Sequence, residues 1–238
     1  MSRIVAIGGG EIKNAETEPI DRHVCELADA DAPAALFVPT ASGDAAGYCE
    51  AFDAYYGDRL GCRTRHLTLH DETVDRTKIQ EDVDWADLVY VGGGSVPLLL
   101  DRWREFGVDR LLQEAYRDGT VLAGLSAGAT CWFAGGLTDA GDGSPYSATD
   151  CLGWFDDLFV TPHADPTRRA AFREALESRT QAGLALEDGC TVELTDGEFR
   201  ILSASGAETA YSYVRRDGGI RASEIEEDDQ FRSLDALR

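Results

Sequence analysis

The chain has 238 residues, 43% of them hydrophobic, so it is long enough to bury a core and too apolar to be an intrinsically disordered protein. Its 44 acidic and 22 basic residues give a formal net charge of −22 at pH 7, and a surface of this sign repels nucleic acid and anionic membranes. We therefore expect no nucleic-acid partner and no membrane partner.

The first half of the chain alternates strands with helices. The predicted elements are, in order, a strand over 3–8, a helix over 19–30, a strand over 34–39, a helix over 44–60, a strand over 63–69, a helix near 75–83, a strand over 87–91, a helix over 96–117 and a strand over 120–125. Most of these strands are apolar throughout, which indicates a parallel sheet covered by helices on both faces.

The pattern changes from about residue 184. Short strands separated by Asp-Gly turns follow, and this pattern predicts antiparallel hairpins. We therefore predict an α/β fold, with a mostly parallel sheet flanked by helices and with antiparallel hairpins near the C-terminus. No repeat or linker divides the chain, so we expect a single domain over residues 1–238.

Three glycine-rich loops follow predicted strands, over 8–10, 92–94 and 124–128. In open α/β sheets, ligands bind outside the carboxyl ends of the strands. The convergence of these loops predicts a functional site at that edge of the sheet.

The third loop reads Gly-Leu-Ser-Ala-Gly, with Ser126 at its centre. This pattern, after a strand and before a helix predicted over 129–134, is typical of a nucleophile elbow. The turn presents the serine hydroxyl above the sheet and directs the Ala127 N–H at a developing oxyanion. The alternative is a tight turn in which small residues serve packing.

A serine nucleophile needs a base, and the chain has four histidines. His23 falls in a predicted helix, and His66 and His70 lie around the third strand. His163 follows an apolar strand and is the one histidine downstream of Ser126, so we predict that it is the base.

The third member of such a triad has several candidates. The acidic residues between or beyond Ser126 and His163 that could orient the imidazole are Asp139, Asp142, Asp150, Asp156, Asp157, Asp165, Glu187 and Asp188. The last two end an apolar strand, where such a group is needed, but Glu-Asp-Gly is also a good turn sequence. An α/β-hydrolase is a poorer fit, because its histidine lies near the C-terminus.

The motifs at Gly92–Gly94, Gly124–Ala129, Pro162-His163 and Leu186–Gly189 resemble, in this order, those of the peptidase E family, which comprises aspartyl dipeptidases and has cyanophycinases as relatives. The resemblance implies a class I glutamine amidotransferase-like fold and a Ser-His-Glu triad.

Carried onto this chain, the family triad is Ser126, His163 and Glu187, with Asp188 as the alternative acid. The family oxyanion hole corresponds to the N–H of Ala127 with one from the Gly93–Gly94 loop.

The resemblance also implies a substrate. The dipeptidases of this family require an N-terminal aspartate, whose carboxylate an arginine reads, and Arg168 is the candidate for that role here. Thr138–Asp150, rich in Gly, Ser and Asp, reads as a surface loop near the site. The expected activity is thus a serine-type dipeptidase acting on short peptides. The alternatives are a cyanophycinase-like β-aspartyl peptidase, an esterase, or an inert binding protein on the same scaffold.

The remaining expectations concern the setting of the protein. No apolar run of 18 residues and no signal-peptide pattern occurs, which favours a cytoplasmic location. The six cysteines lack metal-site spacing and are expected to be reduced, and the chemistry requires no cofactor or metal. The acidic surface, with Lys13 and Lys78 as its two lysines, indicates a halophilic source, although an ordinary acidic protein is the alternative. A homodimer is expected from family habit.

Overall fold

The computed structural model describes residues 2–70, 74–139 and 145–237. Its strands are β1 (Arg3–Ile7), β2 (Ala34–Val38), β3 (Arg63–His66), β4 (Leu88–Val91), β5 (Val121–Leu125), β6 (Phe133–Asp139), β7 (Tyr146–Asp150), β8 (Phe155–Thr161), β9 (Ala182–Leu186), β10 (Cys190–Thr195), β11 (Glu198–Ser203), β12 (Ala210–Arg216), β13 (Gly219–Ile225) and β14 (Arg232–Ser233). Its α-helices are α1 (Glu18–Leu27), α2 (Ala46–Phe52), α3 (Arg76–Trp85), α4 (Val96–Phe106), α5 (Val108–Asp118), α6 (Ala127–Thr130) and α7 (Pro166–Leu176). A π-helical segment, Asp53–Arg59, continues α2.

The larger sheet has the strand order β14-β11-β10-β1-β5-β4-β2-β3. Five of its eight strands, β1, β5, β4, β2 and β3, are parallel, and β10 pairs antiparallel with β1. Alternate residues of β1 enter two separate hydrophobic clusters, Ile4 and Ala6 on one face and Val5 and Ile7 on the other. The prediction of an α/β fold whose parallel strands are covered on both faces is therefore confirmed.

A second sheet, of order β13-β12-β9-β8-β6-β7, was not anticipated from the sequence. In it β6, β8 and β9 are parallel, whereas β7, β12 and β13 pair antiparallel with their neighbours. Helix α7 packs on this sheet through the buried Phe172 and Leu176. Six strands from the second half of the chain thus form a separate sheet, whereas β10, β11 and β14 extend the larger one.

Two hairpins confirm the Asp-Gly pattern. Asp196-Gly197 joins β10 to β11, and Asp217-Gly218 joins β12 to β13. Both residues of each turn have positive φ, 38° and 86° in the first and 49° and 81° in the second. Asp and Gly tolerate this conformation, which matches the twist of the flanking strands.

Three sequence predictions differ from the structure. The helix expected over 96–117 is two helices, because Gly107 adopts φ 77° and ends α4. The helix expected over 129–134 is α6, four residues long, because the chain enters β6 at Phe133. The loop expected over 138–150 is largely β6 and β7, paired from Asp139↔Tyr146 to Gly135↔Asp150. Residues 140–144, including Asp142, lie outside the described residues.

A buried carboxylate ties α1 to the π-helical segment. Asp21 is fully buried and accepts hydrogen bonds from the hydroxyls of Thr17 at 2.7 Å, Tyr55 at 3.0 Å and Tyr56 at 2.7 Å. Burial raises the pKa of Asp21 from 3.8 to about 6, against the opposing effect of these three donors.

This raised pKa predicts how stability depends on pH. The folded protein binds the Asp21 proton more tightly than the unfolded chain does, so this contribution is complete below pH 3.8 and is lost by about pH 6. Urea unfolding of wild type and Asp21→Asn at several pH values, with KCl constant, measures it. We expect the wild-type free energy of unfolding, relative to the variant, to fall by about 3 kcal/mol over this range. A difference that stays constant with pH would contradict the assignment.

Candidate active site

Ser126 occupies a strained turn between β5 and α6. Its backbone has φ 57° and ψ −107°, and its N–H donates to the Ile7 carbonyl at 3.0 Å. A Cβ at Gly124 would lie 2.2 Å from the Gly128 carbonyl oxygen, and one at Gly128 would lie 2.1 Å from that of Val91. Because neither position tolerates a side chain, the two glycines allow this turn, as expected for a nucleophile elbow.

The structure brings His163 to Ser126. His163 follows β8 with φ 51°, and its N–H donates to the Gly8 carbonyl at 3.0 Å. Its Nε2 lies 2.8 Å from Ser126 Oγ, within hydrogen-bond distance. This arrangement can transfer a proton from the hydroxyl to the imidazole.

The other three histidines form hydrogen-bond contacts away from Ser126. The Nε2 atom of His23 lies 2.8 Å from a Glu193 oxygen, that of His66 lies 3.0 Å from Asp53, and that of His70 lies 3.2 Å from the Thr40 carbonyl.

Asp188, rather than Glu187, contacts the second nitrogen of His163. Asp188 Oδ1 lies 2.5 Å from His163 Nδ1. The Glu187 carboxylate instead accepts hydrogen bonds from the Thr209 N–H and the Tyr211 hydroxyl, each at 3.0 Å. The structure thus places Asp188, the alternative acid, against the imidazole and not the preferred Glu187.

The two carboxylates separate because β9 pairs with β12. Leu186 is the last residue in register, opposite Ala210, and the Glu187 N–H still donates to the Thr209 carbonyl. Glu187 thus continues the strand toward β12. Asp188 lies in the turn that follows, where Gly189 adopts φ 76° and donates its N–H to the Gly9 carbonyl at 2.9 Å. That bond holds the turn against the first glycine loop.

Gly9 is a site residue that the sequence analysis did not single out within its loop. A Cβ at Gly9 would lie 1.8 Å from Asp188 Oδ1 and 2.5 Å from His163 Nδ1. The contact between the aspartate and the imidazole therefore requires a glycine at this position. The run of three glycines after β1 was the available signal.

Replacing Gly9 by alanine is expected to separate Asp188 from His163 and to lower kcat about 10²-fold or more, since displacements near 1 Å cost this much in an active site. Steady-state kinetics on any cleaved substrate, with circular dichroism to verify folding, measures the effect. Gly219→Ala is the matched control, because a Cβ there meets no atom within 4 Å. Equal activity of both variants would contradict this role for Gly9.

The N–H groups expected to form the oxyanion hole come from two segments, the start of α6 and the loop that contains Gly93 and Gly94. Ala127 is the first residue of α6, so its N–H has no acceptor within the helix. A Cβ at Gly93 would lie 3.4 Å from Ser126 Cβ, which places this loop beside the nucleophile. The Gly93 N–H donates to the Tyr48 hydroxyl at 3.3 Å, and burial raises the pKa of Tyr48, which keeps the phenol neutral. Gly94 instead approaches the Ala41 carbonyl, to which a Cβ would lie at 2.2 Å.

Arg168 does not face this site. It is 6% exposed, and its guanidinium donates to Thr161 Oγ1 at 3.1 Å, to Asp139 at 3.0 Å and to the Leu137 carbonyl at 3.3 Å. The group also lies 4.9 Å from the centre of the Tyr146 ring. The structure therefore does not bring Arg168 to the site where it was expected to read a substrate carboxylate: its donors join α7 to β6 and β8.

A cavity of about 420 Å³ opens at Ser126 and His163. Its other walls come from the segment after the first glycine loop, including Glu11 and Lys13, and from α2, including Tyr48. This volume falls in the range of small-molecule sites.

Metal-binding and membrane-spanning features are absent from residues 2–70, 74–139 and 145–237. In these ranges no three histidine, cysteine or acidic side chains are grouped so that they could hold a metal ion. No helix there is both long enough and apolar enough to cross a membrane. All six cysteines are free, with the Sγ atoms of Cys25 and Cys62 3.5 Å apart.

Comparisons with known proteins agree on one group. The model of the family described as peptidase family S51 matches residues 4–202. An uncharacterized peptidase of Bacillus subtilis (strain 168), YgaJ, is 33% identical over 225 residues, which cover 92% of this chain and 95% of that protein.

Two solved structures are similar in fold. A peptidase from an acI-B1 Actinobacterium has a TM-score of 0.74 at 20% identity, with 98% of this chain and 97% of that chain covered. A putative peptidase E protein from Listeria monocytogenes EGD-e has a TM-score of 0.64 at 19% identity, with 85% and 98% covered. At these identities the two structures bear on the fold alone.

Proposed function

The chain belongs to peptidase family S51, and from this membership we propose that it is a serine dipeptidase that releases the N-terminal aspartate of short peptides. The observation that carries the proposal is the hydrogen-bonded series Asp188, His163 and Ser126, which opens on a cavity of about 420 Å³. The proposed triad is thus Ser-His-Asp.

In the proposed acylation step, Ser126 Oγ attacks the carbonyl carbon of the first peptide bond while its proton passes to His163 Nε2. Asp188 holds the imidazole in the tautomer that leaves Nε2 free to accept this proton and stabilises the imidazolium that forms. The tetrahedral intermediate then collapses, the carbon–nitrogen bond breaks, and His163 returns the proton to the leaving amine. The product is an acyl-enzyme on Ser126.

Water completes the cycle by the same route. His163 takes a proton from the water molecule that attacks the ester, and the acyl group leaves as a free carboxylic acid while Ser126 recovers its proton. The N–H of Ala127 and that of Gly93 would hold the oxyanion in both steps. For this the substrate oxygen must replace the Tyr48 hydroxyl as the acceptor of the Gly93 N–H, or bind beside it.

The test is the hydrolysis of Asp-Leu, Asn-Leu and Ala-Leu by the purified protein in molar KCl. The reaction is monitored through the free amino acids that it releases. The proposal expects kcat/KM for Asp-Leu to exceed that for the other two peptides by at least about tenfold. A folded protein that cleaves none of the three would contradict the dipeptidase proposal. Hydrolysis of a β-aspartyl-arginine bond or of a simple ester in its place would retain the serine chemistry and change the substrate.

A further inference from the structure

Lys13 lines the cavity that contains Ser126 and His163. It lies on a single 3-10 turn, Ile12–Asn14, directly after the first glycine loop. The turn is anchored by the buried Ile12 side chain and by backbone hydrogen bonds from Asn14 to Glu11 at 3.0 Å and from Ala15 to Ile12 at 2.9 Å. The base of the lysine side chain is therefore held in place at the cavity wall.

The Lys13 ammonium has no hydrogen-bond or ion-pair partner within the part of the chain that the structure describes. The neighbouring Glu16 carboxylate is already bound within the loop, since it accepts the Glu11 N–H at 2.9 Å and the Asn14 side-chain amide at 3.1 Å. Lys13 thus differs from Arg168, whose guanidinium donates hydrogen bonds to β6 and β8. A positive charge in the cavity of so acidic a protein stays available for a ligand.

Glu11 brings the opposite charge to the same cavity. Its side chain is exposed and forms no ion pair within the described residues, and its charge contributes to the raised pKa of Tyr48. The cavity therefore presents one carboxylate and one ammonium that are not paired with each other. A short peptide with a free amino terminus and an acidic side chain carries the complementary pair of charges.

We propose that Lys13 binds the side-chain carboxylate of an N-terminal aspartate and that Glu11 binds the α-ammonium group of the same residue. This inference rests on the proposed function and names the residues that select its substrate. An ammonium pairs with a carboxylate by hydrogen bonds between opposite charges, whereas the neutral, isosteric asparagine side chain offers one acceptor oxygen and no negative charge. Lys13 then sets the preference for aspartate, and Glu11 sets the requirement for a free amino terminus.

The first experiment measures kcat/KM for Asp-Leu and Asn-Leu with wild type, Lys13→Gln, Lys13→Arg and Lys78→Gln at constant KCl. We expect Lys13→Gln to lower the Asp-Leu to Asn-Leu ratio about 10- to 100-fold, and Lys13→Arg to retain most of it. Lys78 is the matched control, because this other lysine does not line the cavity and pairs with Asp82. Its variant is expected to keep the wild-type ratio.

Glu11→Gln separates the two roles. It is expected to lower kcat/KM for both peptides by a similar factor and to leave their ratio unchanged, because both carry the same α-ammonium group. A loss in Lys13→Gln that is equal for the two peptides would place Lys13 on their shared C-terminal carboxylate and overturn the inference. A ratio that Lys13→Gln leaves unchanged would overturn it as well.

A binding measurement removes the dependence on turnover. Calorimetric titration of Ser126→Ala with Asp-Leu and Asn-Leu is compared with the same titration of the double variant Ser126→Ala, Lys13→Gln. If Ser126→Ala binds Asp-Leu more tightly than Asn-Leu and the added Lys13→Gln substitution abolishes this preference, the inference is supported. This holds even if wild type does not cleave Asp-Leu, because absent cleavage would contradict only the proposed function. No preference for Asp-Leu before the second substitution would overturn the inference while leaving the serine chemistry open to test with other substrates.

Discussion

Replacing Ser126 by alanine is expected to lower kcat by about 10⁴- to 10⁶-fold, since removal of the nucleophile of a serine triad has effects of this size. The reason is geometric. The turn at Ser126 presents Oγ 2.8 Å from His163 Nε2, and no other hydroxyl is bonded to that nitrogen within the described residues. The measurement is kcat for Asp-Leu, or for any other substrate that wild type cleaves, with thermal unfolding to confirm that the variant is folded.

Ser178→Ala is the matched control for this substitution. Ser178 is exposed beyond α7, where its hydroxyl donates to the Ala175 carbonyl at 3.1 Å, and it does not line the cavity. Its variant is expected to have wild-type activity. An organofluorophosphonate should in addition label Ser126 in wild type, as detected by peptide mass spectrometry. Wild-type activity in Ser126→Ala would exclude this serine as the nucleophile.

Replacing Asp188 by asparagine is the second prediction with a large expected effect. The carboxylate lies 2.5 Å from His163 Nδ1, where an amide can hold the imidazole in the wrong tautomer and supplies no charge to the imidazolium. A loss in kcat of about 10⁴-fold is expected, the size of effect seen when a triad aspartate becomes asparagine. The measurement is kcat of wild type and variant between pH 6 and pH 9. A variant kcat that rises toward pH 9 would also indicate that the protonation of His163 has changed.

Glu187→Gln tests the neighbouring carboxylate in the same assay. Because Glu187 accepts hydrogen bonds from Thr209 and Tyr211 on the β12 side, its loss is expected to lower the free energy of unfolding by about 1–3 kcal/mol and to leave kcat within a few-fold of wild type. The reverse result, with Glu187→Gln inactive and Asp188→Asn active, would assign the triad acid to Glu187.

Local sequence patterns predicted the elements because their causes are local. Four of the five parallel strands are short, largely apolar runs, and Asp-Gly pairs whose residues adopt positive φ join the strands of the two hairpins. The limit of this reasoning is visible at Gly107, where one predicted helix is two. A single glycine is compatible with a continuous helix, so the sequence pattern did not show that Gly107 would adopt φ 77° and end α4.

The sequence also determined the two residues at the centre of the candidate site. Ser126 lies in a glycine-bounded turn after a strand, and His163 ends another strand as the one histidine downstream. The structure places these two side chains within hydrogen-bond distance. Their proximity could be predicted because strand ends in an α/β fold converge at one edge, which is a property of the fold class rather than of individual contacts.

Only the tertiary structure decided which charged side chains point toward the candidate site. Glu187 and Asp188 are adjacent in sequence, and the pairing of β9 with β12 turns the first away from His163 and the second toward it. Arg168 is buried by bonds to strands that lie about 30 residues earlier, whereas Lys13 is left at the cavity wall. Charge and spacing are readable from the chain, but which carboxylate or cation meets a ligand depends on contacts between segments distant in sequence.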